Sequence, residues 1–275
     1  MKASIIGLLT ETMMHPGSGQ TNGAIDLPVA RESTTDYPVV VGSGVKGAFR
    51  DKAEQEEWAN IGELFGEQSR AGKVAISDAR LLLLPVRSLQ GYYRWVTCPY
   101  LLERLQRDFR LAGQPITEEL PEVNEGEVLV EKGEGTLFLE ELSFDVVDEK
   151  SKRQLVQTWA ERIAPLIGHS HVRERLSKQL AVVSDHDFAY LARYSLPVHV
   201  RNRLNGEKTS ESLWSEETLP PDTLLYTLLI PRPGGEPELE AMQRYLKEKP
   251  YIQIGGNETL GQGWCLISTE GKEEG

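Results

Sequence analysis

The hydrophobic pattern of the chain changes period several times, and each change marks an element. Residues 3–10 are a short apolar run bounded by polar positions, which predicts a first strand. Pro38-Val39-Val40-Val41 predicts a short extended segment. Gly42-Ser43-Gly44 then opens a helix to about Gln55, with Ser43 as its N-cap. A second helix is expected over 56–65, ended by Gly66. Residues 73–84 and 136–147 carry strand-like patterns, and 152–167 and 171–182 helical ones. A continuous apolar strand follows at 223–230. Leu239, Met242, Tyr245 and Leu246 then form a helical stripe, and two short strands, 251–254 and 264–268, flank a glycine-rich turn.

The two ends therefore read strand–helix and strand–helix–strand around a long middle. That order predicts an α+β protein with a ferredoxin-like βαββαβ core and large insertions. A doubly wound sheet is disfavoured, because strands and helices do not alternate regularly. No repeat of 20–50 residues is present. The expected organisation is one domain over 1–275, with a mostly helical, acidic insertion at 85–182 and a projecting hairpin at about 195–220. No apolar run approaches the ~18 residues of a membrane span. The start is too quickly polar for a secretory signal. Cys98 and Cys265 stand alone in hydrophobic settings, so they read as two buried thiols of a cytoplasmic protein rather than a disulfide or zinc framework.

Charge complicates this picture. The net charge is −12, which by itself argues against a nucleic-acid partner. Residues 117–149 hold twelve acids and one base, Lys132, so most of the excess sits in one segment. Residues 70–110 hold eight bases and three acids, and 193–208 hold four bases against Glu207. An acidic total can thus hide a basic surface.

Four stretches carry candidate chemistry. Gly255, Gly256, Gly261 and Gly263 lie in nine residues between two strands, either as a tight hairpin or as a loop whose N–H groups cradle phosphate. A strand rather than a helix follows, which excludes a dinucleotide fingerprint. Lys46 and Arg50 share one helix face near its N-terminus, where free N–H groups favour an anion, but the P-loop pattern fails at Gly47. The loop 15–31 is broken by glycine and proline and offers His15, Asp26 and Arg31; Asp26 reads as a base, a ligand for a hard metal, or a turn cap. In 197–206, Val198, Val200 and Leu204 share one strand face and His199, Arg201 and Arg203 the other, and Asn205-Gly206 predicts a type I′ hairpin. One basic face on a projecting hairpin suits a nucleic-acid backbone. Glu216 and Glu217 lie near the hairpin base, before Leu219-Pro220. No serine elbow or HExxH spacing occurs.

The ordered set is more specific than its parts. His15-Pro-Gly-Ser-Gly leads to Ile25-Asp26-Leu27-Pro28, then to Gly42-Ser43-Gly44-Val45-Lys46-Gly47, then to Leu64-Phe65-Gly66, Lys73–Ala79 and the closing glycine loop. This resembles the RAMP superfamily of CRISPR–Cas proteins, most closely the Cas-seven-group backbone subunit, the fourth, of the type III-B (Cmr) effector. The resemblance covers nearly the whole chain.

The resemblance implies an RRM-like core with a thumb hairpin. It implies copies stacked along one CRISPR RNA beside other Cmr subunits, with a thumb crossing the guide–target duplex at regular intervals. It also implies cleavage of complementary single-stranded RNA with a divalent metal, Mg2+ or Mn2+. Asp26 would be the cleavage residue and metal ligand, with His15 and Glu217 beside it. Guide contacts would fall on Ser43, Lys46, Arg50, Arg201, Arg203, Gly255, Gly256, Gly261 and Gly263. RNA carries its own nucleophile, the 2′-OH, so one carboxylate per subunit suffices. Two other readings remain: a non-catalytic scaffold coating guide RNA, and an endoribonuclease processing the guide precursor.

Overall fold

The computed structural model describes residues 3–19 and 23–269. Strand β1, Ser4–Thr10, is buried at every position. A long irregular segment leads to β2, Val39–Val40, and helix α1, Gly42–Gln55. The helix is not capped by Ser43: its N-cap is Val41, and the Gly42 N–H donates to Asp78 Oδ1 at 2.6 Å. A carboxylate from elsewhere in the chain thus meets the positive helix end. Helix α2 covers only Ile61–Phe65, because Glu57 and Asn60 adopt left-handed backbone (φ 54° and 59°) and break the longer helix the sequence suggested.

A small hairpin follows, β3 (Gly66–Glu67) with β4 (Arg70–Ala71). Then come β5 (Val74–Ile76), β6 (Ala79–Arg87), β7 (Tyr93–Thr97) and α3 (Pro99–Leu111). Strands β8 (Glu127–Val130), β9 (Thr136–Leu139) and β10 (Leu142–Val146) lead to α4 (Lys150–Ile163), α5 (Ser170–Gln179), β11 (Leu180–Val183) and α6 (Asp185–Tyr194). The chain closes with β12 (Val198–Leu204), β13 (Ser210–Glu217), β14 (Leu224–Pro231), α7 (Glu236–Glu248), β15 (Tyr251–Gln253) and β16 (Trp264–Thr269).

The core order is β16-β1-β14-β6, all antiparallel. With α1 and α7 as the crossovers, this is the ferredoxin-like βαββαβ arrangement the sequence suggested. Everything between β6 and β14 is inserted. The segment 85–182, expected as mostly helical, supplies three helices but also strands β7 to β11, which extend the same sheet in the order β7-β11-β8-β10-β9. Residues 180–183, expected as the end of a helix, are a strand buried on both faces.

Both sheet faces are covered. Val45, Phe49, Leu239 and Met242 pack on one side, and Leu105, Phe109, Trp159 and Leu176 on the other. Among the described residues the core of the sheet is thus packed on both faces, unlike an RRM-type sheet with one face open for stacking bases. Cys98 and Cys265 are free and buried, and burial pushes both thiols well up. No helix among the described residues is long and apolar enough to cross a membrane.

Strands β12 and β13 form a separate two-stranded sheet, the projecting hairpin. Its turn is not type I′. The Asn205 N–H donates to the Thr209 carbonyl at 2.9 Å, and the left-handed residue is Lys208 (φ 61°). The Asn205 side chain accepts from the Glu207 and Thr209 N–H groups, both at 3.0 Å, and this stabilises a three-residue loop instead.

Candidate functional site

The site assembles where the loop after β1 meets the base of the thumb hairpin. Among its described residues that loop forms no helix or strand, yet it is tied down. Met14 bridges Leu219, Gly17 bridges Val29, and Leu27 bridges Glu216. Three successive residues of β13 each hold one part of it.

Ser215 holds Asp26. Its main-chain N–H and its hydroxyl donate to Asp26 Oδ2 at 2.7 and 2.8 Å, and the Asp26 N–H donates back to Ser215 Oγ at 3.0 Å. The Ser215 N–H first, and its hydroxyl second, hold the Asp26 carboxyl below the usual carboxylate range. Both bonds use Oδ2, so Oδ1 lies outside them. Asp26 is half-buried.

Glu216 is 2% exposed and faces a polar cluster. It pairs with Arg201 Nε at 2.8 Å, accepts from Asn257 Nδ2, and lies 4.0 Å from His15 Nδ1. Arg201, expected on RNA, is thus turned inward onto a buried acid, whereas Arg203 stays 72% exposed. Glu217 points elsewhere. Its Oε1 accepts from Arg31 Nη2 at 2.8 Å and its Oε2 from the Val29 N–H at 3.0 Å. Both oxygens are engaged in bracing the loop, so the acid facing His15 is Glu216, not the expected Glu217. Strand pleating explains the difference, since adjacent residues point to opposite faces.

His15 is buried, and its Nδ1 lies 2.8 Å from the Glu217 main-chain oxygen. A carbonyl only accepts, so Nδ1 carries a proton and donates it there, which leaves Nε2 outside that bond. A Cβ on residue 17 would come within 2.8 Å of that Nε2, and glycine there keeps the space open.

The glycine loop packs against this segment. Gly255 is left-handed (φ 91°), and a Cβ there would come within 2.6 Å of the His15 carbonyl oxygen. The N–H groups of Gly256, Gly261 and Gly263 donate to the carbonyls of His15, Glu258 and Met13 at 3.0, 2.8 and 2.8 Å. The N–H groups of these three glycines are thus engaged within the protein. The loop contributes a close, side-chain-free wall. With Gly17, Arg31 and Ser43 it lines a groove of about 630 Å³. Lys46 and Arg50 line a different groove, together with the β3–β4 hairpin and Arg232.

Sequence reasoning missed Ser215, Asn257 and the bracing role of Arg31. Asn257 lies inside the glycine-rich motif, so its place in that loop was a usable signal. Ser215 gave none. Among the described residues, no group of three His, Cys, Asp or Glu side chains is placed to hold a metal ion.

The family model described as the RAMP superfamily matches residues 8–266. A curated relative from Pyrococcus furiosus, "CRISPR system Cmr endoribonuclease Cmr4", is 34% identical, covering 98% of this chain and 96% of its own. The crystal structure of oligomeric Cmr4 from Pyrococcus furiosus superposes with a TM-score of 0.79 at 29% identity, covering 98% of both chains. A chain of the type III-B Cmr-beta complex bound to cognate target RNA matches in fold, with a TM-score of 0.78 at 21% identity, covering 98% of this chain and 97% of that one. With the βαββαβ core, the thumb and the family match running from β1 into β16, the chain belongs to the RAMP superfamily.

Proposed function

We propose that this chain is a backbone subunit of a type III-B CRISPR effector, stacking with copies of itself and other Cmr subunits along a CRISPR RNA and cutting complementary RNA beside its thumb. Support comes from the similarity to Cmr4 over almost the full length of both chains. The observation that carries the catalytic part is Asp26, fixed by one carboxylate oxygen to the thumb strand with the other left over. A carboxylate attached to the thumb acts wherever the thumb crosses RNA, which ties cutting to the spacing of subunits.

The chemistry needs a splayed nucleotide, an activated 2′-OH and neutralised phosphate charge. The nucleophile comes from the RNA, and the products are a 2′,3′-cyclic phosphate and a 5′-OH. Asp26, kept ionised by Ser215, can accept the 2′-OH proton or orient that hydroxyl. His15 presents Nε2 beside Gly17, and Glu216 with the Glu217 carbonyl holds the ring.

A divalent metal fits this site only in the manner of Mg2+, which keeps waters and binds through one or two carboxylates plus substrate phosphate. Asp26 Oδ1 is the protein ligand available for that. When bound, the ion would neutralise charge on the phosphate under attack. Adding a chelator to the assembled complex should abolish cutting and leave target binding intact, and Mg2+ or Mn2+ should restore it. Cutting that persists in chelator removes the metal from the account.

Ser215→Ala takes away one of two bonds to Asp26 Oδ2. A hydrogen bond to a charged group is worth about 1.5–3 kcal/mol, so cleavage should fall by about tenfold or more. Ser215→Thr keeps the hydroxyl and should recover most of the rate. Equal loss in both variants would mean that packing at 215, and not the bond, matters.

A further inference from the structure

Arg31 joins segments that are far apart in sequence. Its Nη2 donates to Glu217 Oε1 at 2.8 Å, and its Nη1 donates to the carbonyls of Asp36 at 2.9 Å and Ala192 at 3.0 Å. Glu217 closes β13, the returning strand of the thumb. Ala192 lies in the last turn of α6, the helix that leads into β12, the outgoing strand. One guanidinium thus reaches both roots of the hairpin, which are joined to each other where the Thr218 N–H donates to the Pro197 carbonyl at 3.0 Å. The Ala192 carbonyl is among the last four of its helix, which the helix cannot satisfy itself, and a cation suits that negative end.

The same side chain is tied to the loop that carries Asp26. Glu217 Oε2 accepts from the Val29 N–H at 3.0 Å, three residues after Asp26. On the other side, residues 31–38 close on themselves: Arg31 bridges Pro38, and the Glu32 N–H donates to the Tyr37 carbonyl at 2.9 Å. This small loop grips α6. The Tyr37 ring meets Phe188 edge-on at 5.1 Å, and Arg193 pairs with Asp36 at 3.6 Å. The Arg31 side chain is 16% exposed and that of Glu217 4%, so their pair is shielded from salt. A guanidinium holds several acceptors in fixed directions, whereas an ammonium is a point charge.

We propose that Arg31 is a positioning residue: it sets the thumb root against the body of the chain and thereby fixes which phosphodiester meets Asp26. The proposal rests on the reading of Asp26 as the cleavage residue and adds what sets the register of its cut. Ser215 fastens Asp26 to β13, and Arg31 fastens the end of β13 to α6 and to the 31–38 loop. Without the fork, Asp26 still moves with β13, but the thumb root rocks against the body and carries the carboxylate along the target strand.

Arg31→Lys is the main test, in complexes assembled with guide RNA. It keeps a cation beside the buried Glu217, so assembly and target binding should be normal. Single-turnover cutting of bound target should fall about tenfold, and cuts should spread to neighbouring phosphodiesters, because small misplacements of reacting groups are costly. A merely structural residue would lower thermal stability without shifting the cut positions. Arg31→Ala leaves room for a small guanidinium, so added ethylguanidine should restore rate and spacing in that variant. Wild-type rate and spacing in Arg31→Lys overturn the proposal. So does weaker target binding with the spacing intact, which would make Arg31 a contact to RNA. A second readout needs no cutting. Cys98 and Cys265 are 0% exposed, so spin labels go selectively onto Glu207→Cys in the thumb and Gln154→Cys in α4, both exposed positions. In the full chain, diluted with unlabelled copies, Arg31→Lys should broaden the distance distribution between the two labels. An unchanged distribution overturns the role of Arg31 whatever Asp26 does; undiminished cutting by Asp26→Asn overturns the catalytic reading and leaves the distance result as it is.

Discussion

Removing the outer thumb is expected to leave a folded, guide-binding protein that no longer cuts its target at regular positions. The excision follows from the register. Arg201 lies opposite Trp214, so residues 202–213 can be replaced by a two-residue glycine turn joining those partners. Arg201 must stay, since Glu216 is 2% exposed and would lose its cationic partner. The segment removed makes its own two-stranded sheet and includes the exposed Leu204 and Leu213, so the main core is untouched. Guide affinity should change little. Target cleavage should fall by about 10² or more, the scale of loss when reacting groups are misplaced by about 1 Å. If the excised protein unfolds, these residues belong to the core. If it cuts with normal spacing, the thumb does not position the scissile nucleotide.

The ferredoxin-like core was legible because its parts have clean periods. β1 and β14 are continuous apolar runs, α7 has a full stripe, and α1 opens on a glycine-rich turn. Of the sheet extension, β9 and β10 fall in the strand-like stretch 136–147, whereas the other three strands were not legible. β7, β8 and β11 are four or five residues long, and at that length an apolar run does not separate strand from helix. The start of α1 was misassigned because its anion comes from Asp78, thirty-six residues away. The hairpin turn departed from type I′ because the Asn205 side chain caps two N–H groups, a local choice that the Asn-Gly pair alone does not reveal.

The site divides in the same way. His15 and Asp26 could be picked out because glycine and proline isolate them in a loop. What Asp26 touches could not, since Ser215 is 189 residues away. Choosing between Glu216 and Glu217 required the pleat register of β13, which its pairing with β12 fixes. The glycines of the closing loop are legible in the sequence, but their close packing on residues 13–16 is not.

Asp26→Asn is expected to have the largest effect on chemistry and little effect on anything else. The side chain keeps its size, and its oxygen can still accept from Ser215, so the loop should stay in place. What disappears is the negative charge that binds a metal or takes up the 2′-OH proton. Loss of a positioned acid–base or charge-stabilising group costs about 10²–10³ in rate. Binding should persist or tighten slightly, because a carboxylate near phosphate repels it. The direct measurement is cleavage of a labelled complementary RNA by complexes assembled with guide RNA and either wild-type or Asp26→Asn subunits, with target binding read at matched salt. Equal binding and a fall in cutting of about 10² or more at every site are expected; undiminished cutting by the Asp26→Asn complex would contradict a catalytic Asp26 and leave the subunit as a guide-coating scaffold or move catalysis to another residue.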